Sequence, residues 1–212
     1  MNKKTISIFI ITIFGIWVLG FIIWLLLTPV PKEIKITDIS TNSFAISWLT
    51  DKPIRGCAIT KLGKSKTKAC DDKKTKAHLI TIANLAPENT YQIIVTSGLI
   101  KETKSLPKIT TNKIQEEQPR TPEPAYGSVE WENTNQPIKN ALIYFQNPAQ
   151  NKKEVFVALT NEKGNYAIDL SNFENLERTI LVEVVVNPAT KTRNELDSTR
   201  HSPFPTLLIP GP

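Results

Sequence analysis

Histidine and cysteine are nearly absent from this chain of 212 residues: His78, His201, Cys57 and Cys70 are all there are. That scarcity removes most site chemistry. A metal centre needs more ligands than the sequence clusters anywhere, and a nucleophile with a base in reach has little to be built from. No catalytic residue, metal ligand or cofactor is assigned, and the chain reads as non-enzymatic. His78 begins an alternating strand and is expected to be a partly exposed sheet residue, while His201 falls in a loop. Asp71 and Asp72 would point to opposite faces of an extended chain and end a strand rather than act as an acid–base pair. Neither cysteine lies in a Cys-x-x-Cys motif, which speaks against a redox role.

Charge is missing from one long stretch. No charged residue occurs from Thr5 to Pro31, and Ile6 to Leu27 is apolar apart from Ser7, Thr12, Gly15 and Gly20. As a continuous helix this run would rise roughly 30 Å, the hydrocarbon thickness of a bilayer. Residues 1–31 are therefore expected to form an uncleaved, single-pass signal anchor. Lys3 and Lys4 would hold the N-terminus in the cytoplasm and send the remainder out, giving a cell-membrane localisation with the membrane as a partner. The apolar run is too long for a cleaved signal peptide, and Leu26 to Pro31 offers no Ala-x-Ala exit. Gly15 and Gly20 stand five apart, so the small-residue pairing motif of membrane helices is absent. On this topology both cysteines lie where a disulfide can persist.

After Pro31 no helical period extends beyond a turn, and short alternating strands take over. Ile34, Ile36 and Ile39 mark the first; Phe44, Ile46 and Trp48 alternate with Ser43, Ala45 and Ser47 in the second, with one face buried. Cys57 to Thr60 and Thr67 to Cys70 read as a hairpin around Leu62-Gly63-Lys64-Ser65. A cross-strand bridge follows if the register brings the two Cα atoms within about 7 Å. Leu79 to Ile82, Thr90 to Val95 and Lys108 to Thr111 complete about seven strands, the count of a small Greek-key sandwich.

The run Phe44-Ala45-Ile46-Ser47-Trp48-Leu49-Thr50, followed by Leu85-Ala86-Pro87-Glu88-Asn89-Thr90-Tyr91 and Val95-Thr96-Ser97-Gly98, resembles a fibronectin type III domain over residues 32–111. The resemblance implies that Trp48 fills the core, and that Leu85 and Tyr91 lock the corner before the sixth strand. The Tyr91 hydroxyl would then bond nearby backbone. Arg-Gly-Asp, by which some family members bind adhesion receptors, does not occur.

Residues 112–124 carry three prolines, several charges and no aromatic residue, and read as a semi-rigid linker. The strand pattern resumes over 125–212. Tyr126-Gly127-Ser128-Val129, Gln136 to Tyr144 with Ala141 at a strand entrance, and Leu159 to Ile168 with Gly164 in a tight turn resemble a carboxypeptidase regulatory-like domain, a transthyretin-like sandwich. That family commonly carries an aspartate near Asn161; without it there is no reason to place calcium there. Leu207 to Ile209 would close the sheet. The expected fold is thus all-β, two consecutive β-sandwich domains behind one N-terminal transmembrane helix.

Between Asp51 and Lys76 stand nine basic residues against Asp51, Asp71 and Asp72, a net of +6 that equals the formal net charge of +6 for the whole chain. Lys61, Lys64, Lys66, Lys68, Lys73 and Lys74 form the centre of this patch. It could bind an anionic surface polymer or head groups through counterion release, or simply keep an edge strand from pairing with another molecule. No aromatic residue interleaves with the lysines, so the stacking half of a nucleic-acid site is missing. The functional expectation is a membrane-anchored, non-catalytic surface protein with adhesion or spacer modules and a protein or surface-polymer partner. The alternatives are a structural subunit of an envelope assembly and an accessory module of a separate enzyme.

Overall fold

Phe44, Ile46 and Trp48 alternate along one strand with Ala45, Ser47 and Leu49, and the burial of both sets organises the molecule. The computed structural model describes residues 13–21, 29–98, 100–102, 106–114, 121–148, 154–173, 176, 178–199 and 203–211. The central strand is β2 (Phe44–Ile54), flanked by β1 (Lys32–Thr37) and β5 (Thr75–Ile82) in an antiparallel sheet. Facing it lie β4 (Ser65–Cys70), β3 (Gly56–Leu62) and β6 (Thr90–Ser97), with β7 (Ile100–Glu102) and β8 (Ile109–Thr110) both paired to β6. Phe44, Ile46 and Trp48 point between these sheets, against Ala58, Ile80, Tyr91, Ile93 and Val95. Alternation along a strand requires the other set to face away. Trp48 is fully buried and its indole Nε1 donates to Ser97 Oγ at 3.1 Å. Leu85 is buried before β6, and the Tyr91 hydroxyl accepts from the Ala86 N–H at 2.8 Å, closing the corner.

The second sandwich pairs β10 (Leu142–Gln146) with β11 (Val155–Leu159) on one side and with β13 (Thr179–Asn187) on the other; β14 (Thr190–Asp197) follows β13. Opposite is a smaller sheet of β12 (Asn165–Asp169), β9 (Pro124–Trp131) and β15 (Leu207–Ile209), in which β15 runs parallel to β9. Ile143, Phe145, Val182, Val184, Tyr166 and Phe204 are among the residues that fill the space between. Gly127 stands opposite Tyr166, where an added Cβ would meet the phenol oxygen at 2.5 Å. Gly164 has φ +73° in the turn before β12, and a Cβ there would lie 2.7 Å from the Val129 carbonyl. Ala141 is fully buried, its N–H donating to Thr160 Oγ1 at 2.8 Å.

The two sandwiches are stacked face to face. Leu49, Ala77 and Leu79, on the side of β2 and β5 turned away from the first core, pack on Leu142, Tyr144, Val157, Leu159 and Val185. Among the described residues four sheets therefore enclose three apolar layers. Polar contacts rim the middle layer. Ser47 Oγ lies 2.9 Å from Tyr144 OH, Lys35 pairs with Glu183 and sits over the Tyr144 ring, and Lys191 meets Glu33 at 2.7 Å. Asp38 accepts from the Val157 N–H at 3.3 Å and donates its own N–H to the Val155 carbonyl at 3.0 Å, satisfying the outer edge of β11.

Several expectations are corrected. Among the described residues no helix is long and apolar enough to cross a membrane. The helix that is described covers residues 13–21, whose length at 1.5 Å per residue is about 14 Å, half a bilayer core. The single-pass signal anchor over residues 1–31 is overturned on this ground. With it go the transmembrane part of the fold class, the membrane-anchored function, the membrane as partner, and the cell-membrane localisation with a cytoplasmic N-terminus. The expected length took the whole run from Ile6 to Leu27 as helix; residues 1–12 and 22–28 lie outside the described residues. Residues 115–120 of the expected linker lie outside the described residues. Ile39 is exposed and follows β1 rather than belonging to it.

Candidate functional site

The lysine-rich segment is a hairpin at the edge of the outermost sheet. Gly63, at φ +57°, and Lys64 make a two-residue turn of the kind that matches strand twist, and the register then runs Leu62↔Ser65, Lys61↔Lys66, Ile59↔Lys68 and Cys57↔Cys70. Lys61, Lys64, Lys66 and Lys68 are exposed, as are Lys73 and Lys74 beyond the hairpin. Elsewhere lysines meet carboxylates: Lys32 with Asp51, Lys35 with Glu183, Lys139 with Glu162. Lys73 comes within 3.9 Å of Glu162. Lys61, Lys64, Lys66 and Lys68 have no such partner among the described residues.

The base of the hairpin is fastened by several contacts. Cys57 and Cys70 are directly opposite, with Cα atoms 4.0 Å apart, and are joined in a disulfide. Asp71 donates its N–H to the Gly56 carbonyl at 3.0 Å and accepts the Gly56 N–H on Oδ2 at 2.8 Å. The Arg55 guanidinium donates to the Asp72 carbonyl. Beneath this lies His78, which is fully buried rather than partly exposed as its strand position suggested. Its ring stacks on Trp48 at 4.6 Å, Nδ1 meets Asp71 Oδ2 at 2.5 Å, and Nε2 meets Thr50 Oγ1 at 3.0 Å. Periodicity put His78 on the core face of β5 together with Ile80 and Ile82; its polarity alone argued for exposure. Had the partner Asp71 been recognised, burial would have followed. His201 lies outside the described residues.

Hydroxyl, imidazole and carboxylate in a row invite comparison with a nucleophilic triad, and the details argue against one. Thr50 Oγ1 lies 2.9 Å from the Lys52 carbonyl as well as 3.0 Å from His78 Nε2, so its single proton has a competing backbone acceptor. Thr50 and His78 are both buried. A groove of about 440 Å³ does open between β1 and β8, lined by Ile34, Ile36, Leu106 and Ile109, but it holds one carboxylate, Glu33, and none of the network. Among the described residues no group of three or more His, Cys, Asp or Glu side chains could hold a metal ion. The network is a structural bolt between the hairpin base and the Trp48 core.

Comparison with known proteins adds little beyond this geometry. No protein-family model matches the chain, nor does any curated protein. Among solved structures it is similar to the chicken CNTN1 FN1–FN3 domains at 13% identity, covering 87% of this chain and 69% of that one with a TM-score of 0.30. It is similar to the central fibronectin-III array of RIM-binding protein at 15% identity, covering 78% and 62%, with a TM-score of 0.31. A segment of two fibronectin type-III domains from chicken tenascin is 10% identical, with 79% and 98% covered and a TM-score of 0.33. Superpositions this loose carry no argument about activity or packing. The first sandwich is described by its own strand order and by the Tyr91 corner. Membership of the fibronectin type III family and of the carboxypeptidase regulatory-like family, both expected from the motifs, is not upheld, since no family model and no curated protein matches.

Proposed function

We propose that the chain is a non-catalytic binding protein in which the β3–β4 hairpin engages an anionic polymer and the stacked sandwiches serve as its mount. Residues 32–111 and 125–212 are taken as the two modules and 112–124 as their connection. The observation that carries the reading is the combination of four exposed, uncompensated lysines with a hairpin base held by a disulfide, a backbone pair and a buried histidine. Solvated lysines on a loose loop would make a weak, disordered attractant. Fixing the backbone beneath them lowers the entropy lost on binding.

The test is retention of the full chain on dextran sulfate over a salt series. Binding should fall steeply with salt, and the Lys66→Gln/Lys68→Gln variant should lower the log–log salt slope by about 1.5. Absent or salt-insensitive binding would leave the lysines with a solubility role only.

A further inference from the structure

Edge protection explains Lys66 and Lys68, which stand on β4, a strand with a free side. It does not explain Lys61. That residue lies on β3, paired with β4 on one side and with β6 on the other, and has no edge to guard. The register nevertheless places it directly opposite Lys66, an arrangement in which like charges repel. Slippage cannot relieve the repulsion, because the Gly63-Lys64 turn fixes one end of the pairing and the Cys57–Cys70 bridge fixes the other. Opposed residues share a face and alternate residues return to it, so Lys61, Lys66 and Lys68 all project from the outer face. Opposed Cβ atoms lie about 5 Å apart and alternate positions about 7 Å apart along the strand.

Resting on the reading that this hairpin binds an anionic polymer, we infer that Lys61, Lys66 and Lys68 form a three-ammonium cradle for a tetrahedral oxyanion, a sulfate ester or phosphate monoester carried on that polymer. Three flexible stems from one face can bring their tips together on a group with three terminal oxygens. A carboxylate offers two oxygens in a plane and leaves the third ammonium poorly matched. The repulsion between Lys61 and Lys66 is relieved when the anion is bound, so the position that burdens the free hairpin contributes to the complex.

The experiment titrates the full chain with dextran sulfate, dextran phosphate and carboxymethyl dextran of matched length and charge density. The two tetrahedral esters should bind at least tenfold more tightly than the carboxylate polymer, and whichever of them is tighter identifies the ester. Lys61→Gln should bring the three towards parity with no loss of thermal stability, whereas Lys163→Gln, the same charge change on the second sandwich, should leave the preference intact. Equal binding of the three polymers by the unaltered chain, or equal effects of the two substitutions, would overturn the cradle while leaving polymer binding in place. Failure of all three polymers to bind would overturn the underlying reading instead.

Discussion

Ser47 and Tyr144, one from each sandwich, hold their hydroxyl oxygens 2.9 Å apart in the buried layer between the modules. Burial pushes the Tyr144 phenol up to about 12, so it stays protonated over the ordinary pH range. The same ring carries Lys35 over its face, and Lys35 in turn pairs with Glu183. Removing only the phenol oxygen, Tyr144→Phe, should cost about 1–3 kcal/mol, because it leaves the fully buried Ser47 Oγ without its partner. Tyr144→Ala should cost about 3–5 kcal/mol, since it also opens a cavity in the middle layer.

Shared burial also predicts cooperativity. The middle layer is made by both modules, so calorimetry should show one unfolding transition for the pair. Leu49→Asp puts a carboxylate among Leu142, Tyr144 and Val185 and should split that transition into two. Two transitions in the unaltered chain would mean that the layer does not couple the modules.

Docking should respond to pH through Asp38. Burial against β11 outweighs the bonds from Thr37 and the Val157 N–H and raises its carboxyl to about 6 from 3.8. The docked state thus binds this proton more tightly than the open or unfolded state, and stability gained by protonation is complete below 3.8 and lost as pH rises through about 6. A protonated Asp38 can keep both contacts, accepting from Val157 on Oδ1 and donating from Oδ2 to Thr37 Oγ1. Glu183 works in the opposite sense. Partial burial pushes it up, but Lys35 and Arg193 outweigh that and hold it below 4.5, so its ion pairs persist through the window and weaken only in stronger acid. The melting temperature should climb between pH 7 and pH 5, and Asp38→Asn should flatten the rise.

The sequence alone showed where the first core lies but not that a second surface would be covered. Phe44, Ile46 and Trp48 mark an inward face by alternation, whereas Ala45 and Ser47 are small and polar enough to read as solvated. Ser47 is covered by Tyr144, about a hundred residues away, and no local pattern carries that information. The hairpin register was legible because a glycine turn and two cysteines fix both of its ends. β14 was not, since Thr190 to Asp197 holds a single apolar residue, Leu196, and forms by pairing with β13 rather than by burying a face of its own. Asp71 looked like a strand end because its role is to meet His78, seven residues later.

Gly56 should be intolerant of any side chain. A Cβ there would lie 2.3 Å from the Trp48 ring and 2.9 Å from His78 Nδ1, both held in the core. Gly56→Ala should therefore cost about 1–3 kcal/mol by overpacking. Thr50→Ala should cost a similar amount for a different reason, leaving His78 Nε2 buried without a partner, about 1–3 kcal/mol. Measured by chemical denaturation, a combined loss well below the sum would show that both act on the same His78–Trp48 stack.

Reduction of the Cys57–Cys70 bridge separates two ways of holding the hairpin. A closed loop of this size, with a sequence separation of 13, contributes about 3 kcal/mol through the entropy of the unfolded chain. If the bridge acts only there, Cys57→Ser/Cys70→Ser should lower global stability by up to that amount while the native register survives, held by the Gly63 turn and by the Asp71–Gly56 pair. Amide hydrogen exchange is the deciding measurement. Slow exchange at Ala58 and Thr60, whose N–H groups face β4 in the observed register, would show in the double variant a hairpin held by its backbone, and fast exchange confined to β4 and to these two amides would show that the disulfide is what keeps Lys61 opposite Lys66.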